Sequence, residues 1–210
     1  KNTAILLLVS ALFDGVVMSL NQTQDIIARK ALLAADWQLM LMTMLWPVTN
    51  FFSVWWGRIY ERSNHKHRYF IVAGIIGRLT LVYALWMTTM NEYLVLLGLL
   101  YSSNSLLLPA RNSIYQRNID SGRRAGMFGM TISIGMAVSI LVSFSAGRLL
   151  DSHEASFRWV LLFTGLCGFV SSAVLSLVRT QEPLGERSAK PLNLKEAILE
   201  PITGTFKLLK

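Results

Sequence analysis

Uninterrupted blocks of apolar residues are the feature of this chain that most limits its fold. A block of about twenty residues is what an α-helix needs to cross a hydrocarbon core of roughly 30 Å. Six such blocks can be read, at about residues 3–20 (with 21–25 as an open extension), 37–60, 69–90, 93–115, 127–149 and 157–178. They are too long for buried strands and lack the alternation of a membrane barrel. The expected fold is all-α: a polytopic membrane protein whose six transmembrane helices occupy residues 1–178, followed by a polar segment, 179–210.

Composition agrees with a lipid environment. The 210 residues are 53% hydrophobic and 15% charged, against about 25% charged in an ordinary soluble domain. A net charge of +8 raises nucleic acid as a partner. The basic residues, however, fall between the apolar blocks and form no patch interleaved with aromatic residues, so no nucleic acid is expected. The one cysteine, Cys167, lies within an apolar block and reads as a small packing residue. The chain opens without Met, and no small-residue cleavage site follows the first block. That block is expected to stay as a helix, and the chain to be a trimmed one.

The cationic residues set an orientation. Fifteen of the 20 Lys and Arg residues lie in connections of one parity, while Arg29, Lys30, Arg148 and Arg158 lie in the other and Arg78 falls within a span. Cationic connections stay on the cytoplasmic side. Both chain ends are therefore expected in the cytoplasm, with the chain in the cell membrane, and this demands an even number of spans. Trp37, Trp55, Trp56, Trp86 and Trp159 lie near predicted span ends, where amphipathic rings meet the interface. Trp46 alone is mid-span. Residues 179–195, with Pro183 and Pro191, read as a linker. The basic, amphipathic stretch 194–210 reads as a surface-lying helix or as a connector to more protein.

Two charges fall near the midplane. At 1.5 Å per residue, Asp14 is roughly 16 Å into the first span and Arg78 roughly 15 Å beyond Arg68. A charge there costs at least about 2.5–3.5 kcal/mol unless it is paired or meets water. Ser10, Asp14, Met18, Asn21 and Asp25 share one face of span one, and Tyr101, Asn104, Leu108, Arg111 and Tyr115 share one face of span four. Such stripes serve a polar solute path or hydrogen bonds between helices. Asp14 is the candidate solute contact or proton carrier. Arg78 is expected to tie its helix to span one, two or four, with contact to Asp14 left open. Asn21, Tyr101 and Asn104 complete the candidate pathway.

The stretch Gly57-Arg58-Ile59-Tyr60-Glu61-Arg62-Ser63-Asn64-His65-Lys66 resembles the signature loop of the major facilitator superfamily, which also lies between spans two and three. Gly57, Arg62 and Lys66 match the pattern, Glu61 stands for its aspartate, Asn64 for its second glycine and His65 for a basic residue. Asn tolerates left-handed backbone, so that departure is mild. Span four closes on Pro109-Ala110-Arg111-Asn112, and span five carries Gly126, Gly129, Gly135 and Gly147, small residues suited to close helix packing. The proline-bearing glycine motif of many drug/proton antiporters is missing from span five, so drug antiport has no support here.

The resemblance covers about residues 3–178. It implies two six-helix bundles around a cavity, each made of inverted three-helix repeats, with this chain as the amino-terminal bundle and spans one and four lining the path. It implies a secondary active transporter that moves a small solute by alternating access, coupled to an ion gradient, with protons as the candidate ion. The implied partners are the lipid bilayer and a second six-helix half, in the same polypeptide or another chain; the linker 179–210 would lead to it, with about six more helices expected beyond. Gly57, Glu61, Arg62, Lys66 and Arg111 form the implied cytoplasmic gate.

Enzyme chemistry finds no foothold. His65, His67 and His153 lie in loops, no His-Glu-x-x-His helix occurs, and Asp14 has no second intramembrane aspartate. No catalytic residue, metal or cofactor is expected. The rivals to a transporter are a non-transporting six-span receptor or scaffold, and a six-span channel of several copies, for which no pore loop is legible.

Overall fold

A computed structural model describes residues 2–63 and 66–178, apart from the side chains of Asn2 and Arg62. The linker and basic segment expected over 179–210 lie outside the described residues, as do Asn64 and His65. Among the described residues the chain is helical, with no strand. The elements are α1 (Asn2–Ile26), α2 (Asp36–Phe51), α3 (Ser53–Arg62), α4 (Lys66–Ala73), α5 (Met90–Asn118), α6 (Ser121–Ser152) and α7 (Phe157–Ser176). α1 runs on into a π turn, Ile27–Ala31, and stops where Leu33 takes a left-handed φ of 48°. α4 runs on through a π segment, Gly74–Arg78, and a 3-10 segment, Leu79–Leu85.

Five helical stretches are long and apolar enough to cross a membrane: Thr3–Ala31, Lys66–Leu85, Met90–Asn118, Ser121–Ser152 and Glu154–Ser176. Leu141, Phe144, Trp159 and Phe163 stand on their outer surfaces. An exterior of this kind is compatible with lipid around it.

The stretch expected as span two is divided between α2 and α3. Pro47 has no N–H to give the helix, and the turn at Phe52 releases the carbonyl of Thr49 from the helical pattern. That carbonyl is met locally. The Ser105 hydroxyl on α5 donates to the Thr49 carbonyl at 2.6 Å, and the Phe52 N–H approaches the same carbonyl at 3.2 Å. The third apolar stretch also differs from its expected bounds, ending at Leu85.

α1 packs between α6 and α7. α7 also lies against the Lys66–Leu85 stretch, and α5 packs on α2, α3 and that same stretch. Small residues permit the closest approaches. A Cβ on Gly15 would sit 2.5 Å from the Gly135 carbonyl oxygen, so α1 and α6 meet backbone to backbone there. Gly126, Gly129 and Gly147 have open space instead, so only Gly135 among the span-five glycines noted in the sequence makes such a contact.

Apolar side chains form two clusters stacked along the bundle. One joins Val17, Leu20, Leu81, Met87, Leu97, Tyr101 and Leu161. The other joins Leu7, Phe70, Ala73, Leu107, Ala110 and Leu175. Four helical stretches pass from one cluster to the other, and on each the switch brackets a polar residue: Asp14, Arg78, Asn104 or Ser171.

Both ends of α5 are fastened by side chains. At its start the Thr89 hydroxyl accepts from the Glu92 N–H while the Glu92 carboxylate accepts from Thr88 and Thr89. At its end Arg124, reaching back from α6, donates to the carbonyls of Tyr115, Gln116 and Ile119. Those carbonyls have no partner within the helix. Arg124→Ala should therefore lower stability by about 1 kcal/mol, read as a downward shift of the unfolding midpoint in detergent; Arg124→Lys should recover only part of it, because one ammonium cannot span three acceptors.

Candidate functional site

The polar layer between the two clusters is a charge network. Asp14 on α1 accepts from two arginines, one on each carboxylate oxygen. Arg78 Nη2 reaches Oδ1 at 2.8 Å, and Arg111 Nη1 reaches Oδ2 at 2.7 Å. The Ser171 hydroxyl stands 3.5 Å from Oδ1 and donates more closely, at 3.1 Å, to the Ser10 carbonyl. Arg78 also donates from Nη1 to the Gly168 carbonyl at 2.8 Å and from Nη2 to Asn104 Oδ1 at 3.2 Å. One guanidinium thus ties its own helix to α1, α5 and α7.

Local sequence explains how so large a side chain fits. Arg78 ends the π segment and stands at its junction with the 3-10 segment. Irregular helix of this kind shifts the register of side chains and recurs at functional positions. On the facing helix, a Cβ at Gly168 would lie 2.9 Å from Arg78 Cδ and 2.9 Å from Val17 Cγ2. Glycine at that position leaves room for the arginine stem. The side chain of Arg78 is 2% exposed, that of Asp14 12% and that of Arg111 28%, so the network grades from core toward an opening.

The opening is a cavity of about 200 Å³. Asp14, Asn21, Arg78, Asn104 and Arg111, all singled out in the sequence, line it together with Trp46, Asn50 and the apolar Val17, Met18, Leu107 and Leu108. Tyr101 is buried behind the lining. Its hydroxyl bonds Asn21 at 3.2 Å and also Gln24, and its ring meets Trp46 edge-on at 5.4 Å between centroids. A smaller void of about 60 Å³ lies on the other side of Asp14 and Arg111, toward Thr131 and Gly135 of α6. Asp14, Met18 and Arg111 line both.

Of the residues expected at a cytoplasmic gate, Gly57 meets Pro109 of α5, 3.3 Å from where a glycine Cβ would stand, so α3 crosses α5 closely at that point. Glu61 is exposed and Lys66 is half-buried, and the side chain of Arg62 is outside the description. Arg111 is placed at Asp14. The two polar stripes have mixed fates: Asp14, Asn21, Asn104 and Arg111 face the cavity, whereas Tyr115 bonds Thr131 of α6 at 2.6 Å and Asp25 is exposed.

Sequence reading missed Asn50, Gly168 and Ser171. Trp46 carried a usable signal, since a tryptophan at mid-span has no interface to occupy. No protein-family profile, curated protein or solved structure matches this chain.

Proposed function

We propose that this chain is the amino-terminal bundle of a major-facilitator-like secondary transporter, and that the cavity beside Asp14 and Arg111 binds a small solute. The observation that carries the reading is the placement of three charged side chains at the layer between two apolar clusters, where they line a cavity. Charges at such depth are expensive and mark solute or ion pathways. α2 and α3 together, with Phe52 between them, span about 40 Å at 1.5 Å per residue. That length supplies a sixth crossing, and six crossings with cationic connections inside put both chain ends in the cytoplasm. Two inverted three-helix repeats would then place α1 and α5 in equivalent positions against the cavity. A second six-helix unit would close the cavity's open side, and rocking of one unit against the other would expose it alternately to each face of a cell membrane. The exposed Glu61 and the Gly57–Pro109 crossing supply the cytoplasmic contact that opens and closes. An ion gradient supplies the energy.

The test is uptake by the full-length protein in liposomes, with and without an imposed pH gradient, screened over small solutes. Solute accumulation is expected, and Arg111→Gln should reduce it at least about ten-fold, as the loss of one charged hydrogen bond does. Glu61→Gln should change the rate while leaving solute affinity intact, because Glu61 lies outside the cavity. Absence of solute flux in every arm would favour a receptor or scaffold instead.

A further inference from the structure

The cavity is unbalanced in charge. Arg78 and Arg111 each contribute a fixed positive charge, and Asp14 can return at most one negative charge, so the network is net positive in any protonation state. Among the described residues no other acidic residue lines the cavity; the remaining polar lining is the neutral amides Asn21, Asn50 and Asn104. Asp25, one turn past Asn21 on α1, is exposed and outside the lining. Donor capacity is unbalanced in the same sense. A guanidinium has five N–H donors. Arg111 spends Nη1 on Asp14, while its Nε is buried with no acceptor among the described residues. The Nη2 edge left over offers its donors to an oxygen of a carboxylate or phosphate. Asp14, by holding Nη1, orients that edge.

We propose that the cavity selects an anionic solute: a small, soluble organic molecule whose carboxylate or phosphate group docks on Arg111. Its apolar part rests against Trp46 and Leu108, which stand on the same lining. Arg78, 2% exposed and committed to Asp14, Asn104 and Gly168, is the positioning residue behind this contact. The inference rests on reading the cavity as a solute site, but its charge preference can be measured without transport.

The experiment uses the full-length protein with Cys167→Ala and a reporter thiol at Leu108→Cys, in phosphatidylcholine vesicles so that no anionic lipid competes. Asn50→Cys is a second reporter on another helix, and only variants that elute as a single detergent-solubilised species are reconstituted. The rate of modification by an anionic sulfonatoethyl methanethiosulfonate is compared with that by its cationic trimethylammonium analogue, each divided by its rate with a free thiol. The anionic reagent should be favoured by about ten-fold or more at low salt, and Arg111→Gln should bring the ratio near one. Benzoate should protect the thiol and benzamide should not. A ratio at or below one, or protection by both compounds or by neither, overturns the proposal. Solute uptake combined with a cation-favouring cavity would leave the transporter reading standing and sink this one; anion preference and benzoate protection without flux would do the reverse.

Discussion

Asp14→Asn should be the most damaging single conservative change in the bundle, costing about 3–5 kcal/mol, the usual range when one partner of a buried ion pair is removed. The carboxylate is the shared acceptor of two guanidinium groups. Its amide replacement is neutral and offers one carbonyl oxygen in place of two charged ones. Arg78 would then be left 2% exposed with only Asn104 and the Gly168 carbonyl as acceptors. The penalty belongs to the stranded cation, and this gives the prediction a second arm. Arg78→Met, which keeps much of the side-chain volume, should cost markedly less in the Asp14→Asn background than in the native chain, with a coupling energy of about 1–3 kcal/mol. Thermal unfolding in detergent, followed by circular dichroism, reads both. An Asp14→Asn protein within about 1 kcal/mol of the native one would mean that water already reaches the pair and that the network is no buried layer.

Gly77→Val should be nearly as severe, for a steric reason. A Cβ on Gly77 would overlap the Ser103 side chain and stand 2.8 Å from the Leu99 carbonyl oxygen. A side chain can rotate away, but a helix carbonyl cannot, so α5 and the Lys66–Leu85 stretch must separate. Overpacking of this kind costs about 1–3 kcal/mol and more when backbone must move. The Ser103 hydroxyl bond to the Ala73 carbonyl, 2.6 Å long, would be lost with it. Asn104 follows Ser103 directly, so the same shift pulls it from Arg78. Gly129→Ala is the matched control: nothing lies within 4 Å of its Cβ position, and the gain in helix propensity should leave stability equal or slightly higher. Loss in both variants to a similar degree would show that glycine content, and not the α5 contact, sets the effect.

The helices were legible because the apolar blocks are long, and a block of that length in lipid has few alternatives to helix. The break at Phe52 was not, although Pro47 lies five residues before it: proline weakens a helix wherever it sits, but at the turn itself the Thr49 carbonyl is met by Ser105 of another helix, which the local sequence does not show. The change to π and 3-10 geometry around Arg78 left no sequence mark beyond Gly74 and Gly77. Among site residues, Asp14 and Arg78 stood out because charge inside an apolar block is rare. Asn21, Asn104 and Arg111 followed from three- and four-residue spacing. The same spacing also selected Tyr115, which serves α6, since periodicity identifies a face and not its neighbour.

Hydrophobic patterning within single segments was enough to establish long apolar helices over the described residues and to mark which ionisable groups fall inside them, because both are properties of consecutive residues. The partners of those groups emerged from packing. Asp14 and Arg78 are 64 positions apart, and their contact depends on how α1, α5, α7 and the Lys66–Leu85 stretch are rotated and how closely glycines let them approach. Hydrogen bonds and ion pairs act over about 3 Å, so small differences in helix rotation decide them, and no short run of residues encodes that rotation.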